Sequence, residues 1–450
     1  MAQIAAHEEK EFIVWKTTSY FYRDLKQKIV FWQSYLDEKN ILPYSVVELS
    51  ANFSPESIAL FIVLMQLNCV IVPLSKLVKE ELLFRDIAEV EWVINVDAND
   101  QVSFEHRTQE KKQDAYITLE HEQAAGLVLF SSGSTGKSKA AVHRISKLLE
   151  KFQKPRDAKR IISFLSFDHI GGFNTLFFTL YNGGCVITLS ERSPTSVCDA
   201  IEKHHGQVLP TTPTFLNLLL LSREYQHRNL QALELITYGT EVMPENTLNL
   251  LHQQFPTVRL QQTYGLSEVG ILRSKSKNSN SLFMKIGGEQ YQTRIVDHML
   301  EIKTETAMLG YLNAPNPFTE DGWFKTGDVV EVDGEYVRIL GRQSDVINVG
   351  GEKVYPAEVE NILMTMSGVI DVAILGITHP LIGQMVTAQI KLSTKESLSD
   401  FKIRLYAFCK DRLQRYKIPQ KITLMEIDLF NNRFKKLRKN INTTNIGVSQ

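Results

Sequence analysis

The sequence lacks several features that would restrict its function directly. Fifty basic residues stand against 51 acidic ones among 450, so the formal net charge is -1. This balance argues against a nucleic-acid-binding protein or a protein drawn to anionic membranes. The four cysteines, Cys69, Cys185, Cys198 and Cys409, show no CxxC spacing. They predict reduced, buried thiols in a cytoplasmic protein rather than a disulfide framework or a zinc site.

Uninterrupted apolar runs are also scarce. The first residues, MAQIAAHEEKEF, place acidic side chains where a signal peptide needs a positive start and an apolar run. The most apolar stretch, residues 57–74, is interrupted by Gln66, Asn68 and Pro73. It therefore predicts a buried helix followed by a short strand at about 69–72, and not a membrane span.

The sequence pattern changes once along a chain that is long enough for two or three domains. Up to about residue 340, short β-branched runs such as 184–190 and 233–239 alternate with amphipathic segments. This alternation predicts an α/β fold with substantial parallel sheet. Asp-Gly pairs at 321–322 and 333–334 predict turns, the second inside a hairpin. We predict a large multi-subdomain α/β domain over residues 1–341 and a small α+β domain over 342–450.

A loop rich in serine and glycine follows one of the apolar strands. Residues 130–140 read FSSGSTGKSKA, and the later segment ISKLLEKF, residues 145–152, predicts a helix. The N–H groups and hydroxyls of such a loop can converge on one anion, with added charge from Lys137 and Lys139. A Walker A loop would need glycine where Ser131 stands. This segment alone leaves three hypotheses open: an adenylate-forming phosphate loop, a Walker A loop, or a plain flexible loop.

Four further segments follow in order. Residues 262–270 read QTYGLSEVG, where Glu268 is a hard oxygen ligand suited to Mg²⁺ and Tyr264 offers a flat face to adenine. Residues 323–328 read WFKTGD, and residues 341–360 read GRQSDVINVGGEKVYPAEVE. Near the end of the chain, residues 431–440 read NNRFKKLRKN.

Taken together, the five segments resemble the acyl-adenylate-forming superfamily of acyl-CoA synthetases, adenylation domains and luciferases, and most of all its acyl- or aryl-CoA ligases. Ser138 and Ala140 replace the usual proline and glycine of the phosphate loop. The Pro/Thr/Gly turn that normally surrounds the catalytic lysine is missing. The resemblance implies a large N-terminal α/β domain with a barrel-like subdomain and a mobile α+β lid. It implies ATP, Mg²⁺ and coenzyme A, or a carrier-protein phosphopantetheine, as cofactors.

The resemblance also assigns roles to residues by alignment. The expected catalytic residues are Lys436, with Lys435 as its alternative, Ser267, His169 and Glu268, which would also bind the metal. Ser344 is the expected hinge. Nucleotide binding is expected from Ser131, Ser132, Gly133, Ser134, Thr135, Gly136, Lys139, Gly239, Thr240, Glu241, Thr263, Tyr264, Gly265, Asp328 and Arg342. The acid pocket is expected to include Asp168, His169, Gly172, Phe173, Thr212 and Tyr238.

Three functional hypotheses follow from this resemblance. The leading one is an acid–CoA ligase that activates a small carboxylic acid as its acyl-AMP. The second is an enzyme that loads an acid onto a carrier protein, and the third is a weakly catalytic homologue that acts as a binding module. Asp168 leaves a related choice open, because it could bind the ammonium of an amino acid or could orient His169 or cap a turn.

Overall fold

A computed structural model of the chain describes residues 2–438 apart from 77, 79, 110–112, 133–137 and 289. The helices are α1 (Ala2–Ala5), α2 (Tyr22–Glu38), α3 (Pro55–Gln66), α4 (Glu81–Ile87), α5 (Asp114–His121), α6 (Ile145–Leu149), α7 (Ile170–Tyr181), α8 (Pro194–His204), α9 (Pro213–Ser222), α10 (Glu245–Gln254), α11 (Pro356–Leu363) and α12 (Leu398–Cys409). Short 3-10 helices occupy Glu150–Phe152, Glu224–His227, Gln343–Asp345 and Arg415–Lys417.

The strands divide between a large N-terminal unit and a small C-terminal one. Those of the first unit are β1 (Glu11–Trp15), β2 (Thr18–Phe21), β3 (Val46–Ser50), β4 (Val70–Leu74), β5 (Trp92–Val96), β6 (Val102–His106), β7 (Gly126–Ser132), β8 (Ser138–Arg144), β9 (Arg160–Ile162), β10 (Cys185–Ile187), β11 (Val208–Thr211), β12 (Leu235–Tyr238), β13 (Arg259–Gln262), β14 (Gly265–Leu266), β15 (Gly270–Ile271), β16 (Ser274–Ser276), β17 (Met284–Ile286), β18 (Tyr291–Val296), β19 (Met299–Thr304), β20 (Gly310–Tyr311), β21 (Phe324–Asp333) and β22 (Tyr336–Arg342). Those of the second are β23 (Ile347–Val349), β24 (Glu352–Val354), β25 (Val369–His379), β26 (Gly383–Leu392) and β27 (Lys421–Met425).

Two seven-stranded sheets form the body of the N-terminal unit. The first has the order β13-β12-β11-β9-β10-β1-β2 and is parallel except between β1 and β2. The second has the order β20-β8-β7-β4-β3-β5-β6, with parallel strands β7, β4, β3 and β5 at its centre and antiparallel pairs at its edges. The predicted α/β class with substantial parallel sheet is confirmed.

Helices α3 and α7 meet in the core of this unit. The ring centroid of Phe61 on α3 lies 5.6 Å from that of Phe177 and 6.0 Å from that of Phe173 on α7. Helix α3 begins with a proline after Ser54, whose hydroxyl oxygen accepts a hydrogen bond from the Ser57 N–H at 3.2 Å. The apolar stretch 57–74 is thus helix α3 and strand β4, as predicted. Among the described residues, no helix combines the length and apolarity needed to cross a membrane.

An antiparallel sheet follows in the order β16-β17-β22-β21-β19-β18. Its strands β21 and β22 form the predicted hairpin, and Gly334 takes the positive φ of 60° that the turn requires. This sheet stands where the resemblance implied a barrel-like subdomain. Its edge strands β16 and β18 do not pair with each other over the part of the chain described, so the sheet remains open.

The C-terminal unit is a small α+β domain. Strand β22 ends at Arg342, and after a 3-10 turn β23 begins at Ile347. The sheet order is β24-β23-β26-β25, and β27 pairs in parallel with β26. Helix α11 starts with Pro356 at its first position, as predicted, and helix α12 buries Phe401 and Leu405 in the core of the unit.

A buried ion pair links the centre of the second sheet to helix α4. Glu48 on β3 is fully buried, and the Arg85 guanidinium donates to both of its oxygens at 2.7 and 2.9 Å. Removing the arginine would leave a buried carboxylate without its cation, which typically costs 3–5 kcal/mol.

We expect Arg85→Met to lower the free energy of unfolding by about 3 kcal/mol in urea titrations. Arg23→Met is the matched control, because it breaks an exposed pair with Glu9 and should change the free energy of unfolding by less than about 1 kcal/mol. Equal effects of the two variants would contradict the assignment of Glu48–Arg85 as a structural pair.

Candidate active site

A cavity of about 690 Å³ opens between the ends of the two large sheets, the antiparallel sheet and the C-terminal unit. Most of the sequence-predicted residues line it: Ser131, Lys139, His169, Gly239, Thr240, Glu241, Thr263, Tyr264, Gly265, Ser267, Glu268, Asp328, Arg342, Ser344 and Lys436. These residues come from segments spread over some 300 positions of the chain, so the fold gathers the separate motifs at one site.

The phosphate-loop motif joins two antiparallel strands. Ser131 at the end of β7 pairs with Lys139 on β8, and the Lys139 ammonium lies 5.1 Å from the centre of the Tyr311 ring. Strand β8 follows the loop, and the helix predicted over residues 145–152 is confirmed as α6 and the short 3-10 helix after it. Gly133, Ser134, Thr135 and Gly136 lie outside the described residues, as does the side chain of Ser132.

Tyr264, Asp328 and Arg342 form a network on the cavity wall in which Tyr264 and Asp328 are buried and the Arg342 side chain is 47% exposed. The Tyr264 hydroxyl donates to Asp328 Oδ2 at 2.5 Å, and Arg342 Nε lies 2.7 Å from Asp328 Oδ1. Burial raises the pKa of the Asp328 carboxyl, and the Arg342 charge and the Tyr264 hydrogen bond oppose this shift. Asp328 lies within strand β21 opposite Arg342 on β22.

Glu268 and Ser267 lie beside this network and are held by residues that the sequence did not single out. The Tyr311 hydroxyl donates to Glu268 Oε1 at 2.6 Å, and His143 Nε2 lies 2.5 Å from the Ser267 carbonyl oxygen. Burial lowers the pKa of His143 to about 4, so this imidazole is neutral at ordinary pH. His143 follows the apolar residues 140–142 of β8, which was a usable sequence signal, whereas nothing near Tyr311 indicated its role.

The segment Gly239–Glu241 follows strand β12 and forms another wall. A Cβ atom on Gly239 would lie 2.6 Å from the Thr263 carbonyl oxygen, so the two segments approach as closely as only glycine allows. Glu241 accepts hydrogen bonds from the Thr214 hydroxyl at 2.7 Å and from the Lys436 backbone N–H. The Glu241 carboxylate therefore bridges the N-terminal unit and the C-terminal tail.

His169 is the predicted acid-pocket residue that lines the cavity. It precedes helix α7, and its Nδ1 accepts a hydrogen bond from the Gly171 N–H at 3.0 Å. The neutral ring therefore carries its proton on Nε2. Burial, together with the charges of Lys435, Arg433 and Arg192, holds the pKa of His169 well below its usual range. His169 is thus a neutral hydrogen-bond donor and not an imidazolium.

The other expected pocket residues lie elsewhere. Phe173 and Tyr238 are buried in the core, and Gly172 packs so closely that an added Cβ would lie 2.0 Å from the Ser166 carbonyl oxygen. Thr212 caps helix α9. The cavity wall here consists instead of Leu165, Ile170, Gly171, Asn174, Thr175 and Thr211.

Asp168 is occupied by other side chains. Its Oδ2 accepts hydrogen bonds from the Arg433 guanidinium at 2.7 Å and from the Ser75 hydroxyl at 3.0 Å, and the carboxyl is 3% exposed. Of the two roles left open by the sequence, this geometry supports the structural one, because the carboxylate is already paired with a cation.

Both tail lysines line the cavity, but they have different surroundings. The Lys436 ammonium contacts the Asp371 carboxylate at 3.1 Å and the Val372 carbonyl oxygen at 2.8 Å, both in the C-terminal unit. Burial lowers the pKa of Lys435 to about 8, opposed by the nearby carboxylates of Glu241 and Glu268. Lys435 lines the same cavity as Glu268, whereas the ammonium of Lys436 is paired with Asp371 of its own unit.

The tail forms a turn although it lacks the family's proline, threonine and glycine. Asn431 Oδ1 accepts hydrogen bonds from the N–H groups of Arg433 and Lys435 at 2.9 and 3.0 Å. Phe434 takes a positive φ of 54°, the left-handed conformation that glycine usually provides. The expectation that the turn is missing was therefore wrong, because an asparagine side chain supplies its hydrogen bonds.

Comparisons with known proteins agree with this arrangement. The profile of the AMP-binding enzyme family matches residues 1–298, and that of the AMP-binding enzyme C-terminal domain matches residues 358–433. A 2-succinylbenzoate–CoA ligase from Bacillus velezensis is 29% identical over 365 residues, which cover 72% of this chain and 71% of that protein. A long-chain-fatty-acid–CoA ligase from Mycobacterium tuberculosis is 26% identical over 66% of this chain and 63% of its own length.

Solved structures support the fold. The anthranilate CoA ligase AuaEII in complex with anthranoyl-AMP superposes with a TM-score of 0.82 at 18% identity, covering 97% of this chain and 95% of that one. At this identity the likeness concerns the fold, and the family follows from the profile that spans well over half of the chain. The chain belongs to the AMP-binding enzyme family and carries that family's C-terminal domain.

Proposed function

We propose that this protein is an AMP-forming acid–CoA ligase. In the first step a carboxylate oxygen attacks the α-phosphorus of ATP, an acyl-AMP forms and pyrophosphate leaves. In the second, the sulfur of CoA attacks the acyl carbonyl, the C–O bond to AMP breaks and the thiol proton passes to solvent. The main support for this proposal is that one cavity is lined by Lys139, Glu268, Arg342, His169 and Lys435.

The nucleotide would lie along the motifs of the N-terminal unit. Lys139 stands at the phosphate-loop strands, and Asp328 and Arg342 form a preformed polar pair for the ribose. The close approach of Gly239 and Thr263 leaves a flat backbone surface suited to adenine. These groups bind and orient ATP, and catalysis then rests on positioning and on neutralising the charge that develops.

A Mg²⁺ ion fits beside Glu268. Over the described residues no group of three or more His, Cys, Asp and Glu side chains gathers for a metal. Mg²⁺ typically binds one or two carboxylates together with substrate phosphates, and Glu268 with the ATP oxygens meets this requirement. When bound, the ion would neutralise phosphate charge.

The acid would lie between His169 and the tail. The neutral imidazole can donate its Nε2 proton to a carboxylate oxygen, while the Lys435 ammonium can approach the same oxygen and the α-phosphate. Because Asp168 Oδ2 is paired with Arg433 and Ser75, this carboxylate is less suited to bind a substrate ammonium. The site therefore favours aryl or acyl acids over amino acids. The CoA-ligase names of the curated relatives support CoA as the acceptor.

The proposal predicts ATP–pyrophosphate exchange that depends on an added acid. We expect exchange with at least one aryl or fatty acid and none above background with α-amino acids. The chosen acid should then give an acyl-CoA thioester, detected by mass spectrometry, when CoA is added. Exchange with α-amino acids alone would contradict the assignment of Asp168, and acyl-AMP without thioester formation would contradict CoA as the acceptor.

The two lysines give a second prediction. Lys435→Ala should lower the exchange rate by about 100-fold or more, because it removes the ammonium that faces the reacting groups. Lys436→Ala should chiefly lower the melting temperature, because it leaves Asp371 without its cation. Lys395→Ala, at a fully exposed position, is the matched control. If Lys436→Ala loses pyrophosphate exchange while its melting temperature is unchanged, Lys436 and not Lys435 is the catalytic lysine.

The low pKa of Lys435 predicts a pH dependence. A lysine titrating near pH 8 is charged below that pH and neutral above it, so the exchange rate should fall as the pH rises through about 8. Lys435→Arg keeps its charge at alkaline pH and should retain activity there if the longer head group is accommodated. If the exchange rate of an active Lys435→Arg variant still falls as the pH rises through about 8, a group other than Lys435 titrates there.

A further inference from the structure

The tail turn is built so that successive side chains point to different places. Two backbone hydrogen bonds close the turn: the Asn431 N–H donates to the Lys435 carbonyl at 2.9 Å, and the Phe434 N–H donates to the Asn431 carbonyl at 2.8 Å. Arg433 then reaches Asp168, Lys435 reaches the cavity and Lys436 turns back to Asp371. Phe434, between them, enters the N-terminal unit.

Phe434 lies in an aromatic slot of that unit. Its ring centroid is 5.4 Å from that of Phe164 and 5.5 Å from that of Phe215, two side chains that are 2% and 0% exposed. The Phe434 carbonyl oxygen accepts a hydrogen bond from the Thr212 hydroxyl at 2.9 Å. A partly buried tail residue thus packs against the core cluster of the other unit.

The arrangement has features that a loosely placed tail would lack. A phenylalanine with φ of 54° adopts a conformation that bulky side chains seldom take, so the ring contacts must hold it there. The Arg433–Asp168 ion pair is a second attachment on the same face, with a carboxylate that is buried. The third contact, between the Lys436 N–H and Glu241, places the turn against the cavity wall.

We propose that Phe434, assisted by Arg433, is a positioning residue that seats the tail turn in the N-terminal unit and thereby places the Lys435 ammonium for acyl-AMP formation. The inference rests on the proposed function. Phe434 would touch neither ATP nor the acid, and it would act only while the two units hold this arrangement. In the family's CoA-transfer step the small domain is expected to rotate. The contact of Phe434 with the N-terminal unit should therefore affect the rate of that step less.

The test separates the two half-reactions. Phe434→Ala should lower acid-dependent pyrophosphate exchange by about tenfold to a hundredfold, since misplacing a catalytic group by an ångström has effects of that size. Thioester formation from presynthesised acyl-AMP and CoA should change by less than about twofold, which corresponds to a negligible change in barrier. Phe434→Leu should restore most of the exchange, because it refills the slot. Ile403→Ala, on the exposed face of α12, is the control and should leave both rates unchanged.

A second measurement does not depend on activity. Amide hydrogen exchange in peptides covering residues 208–218 and 426–438 should be faster in Phe434→Ala than in the unmodified protein, without any substrate. Arg433→Gln should act in the same direction and serves if Phe434→Ala does not fold.

The outcomes distinguish this proposal from the proposed function. Loss of pyrophosphate exchange in Phe434→Ala with retained thioester formation supports the positioning role of Phe434. Equal loss of both half-reactions, or loss of neither, overturns it. If the unmodified protein activates no acid, the proposed function has failed, and amide hydrogen exchange alone then decides. Faster hydrogen exchange in Phe434→Ala supports the packing role of Phe434, and an unchanged hydrogen-exchange rate overturns it.

Discussion

A buried carboxylate joins the parts of the molecule at the cavity. Asp328, 4% exposed, is held between the Tyr264 hydroxyl and the Arg342 guanidinium. Tyr264 follows the last strand of the first large sheet, whereas Asp328 and Arg342 face each other on the antiparallel sheet. The Tyr264 hydrogen bond and the Arg342 ion pair thus connect the end of the first large sheet with the antiparallel sheet. All three residues line the cavity, and Arg342 is the last residue of the strand that precedes the C-terminal unit.

The second constraint is electrostatic. ATP and a carboxylate are both anions, so the site must supply cations from several segments before the two can meet. Lys139 and Arg342 come from the N-terminal unit, but Lys435 comes from the tail of the other unit. Its burial lowers its pKa to about 8, and Glu241 and Glu268 keep that pKa from falling further. If Lys435 is catalytic, as we propose, moving the second unit would withdraw its charge and so link the chemistry to the domain arrangement.

Much of this could be predicted because it depends on local pattern. Alternating β-branched and amphipathic segments predicted the parallel sheets, the Asp-Gly pair predicted the β21–β22 hairpin, and Pro356 marked the start of α11. The acid pocket was predicted less well. Phe173 and Tyr238 are apolar residues next to a motif, and sequence alone does not distinguish a core side chain from one that lines a cavity. Tyr311, which holds Glu268, had no local signal because their contact is purely tertiary.

The sequence by itself determined the α/β class, the order of the motifs and the chemical types of the nucleotide-binding side chains, since each depends on residue type and on spacing along the chain. Tertiary structure decided which tail lysine pairs with Asp371, the pairing of Asp168 with Arg433 and the neutral state of His169. The reason is that side-chain direction and pKa depend on packing partners from distant segments. Adjacent Lys435 and Lys436 differ only in what surrounds them: the left-handed turn at Phe434 sends one ammonium to the cavity and leaves the other with Asp371.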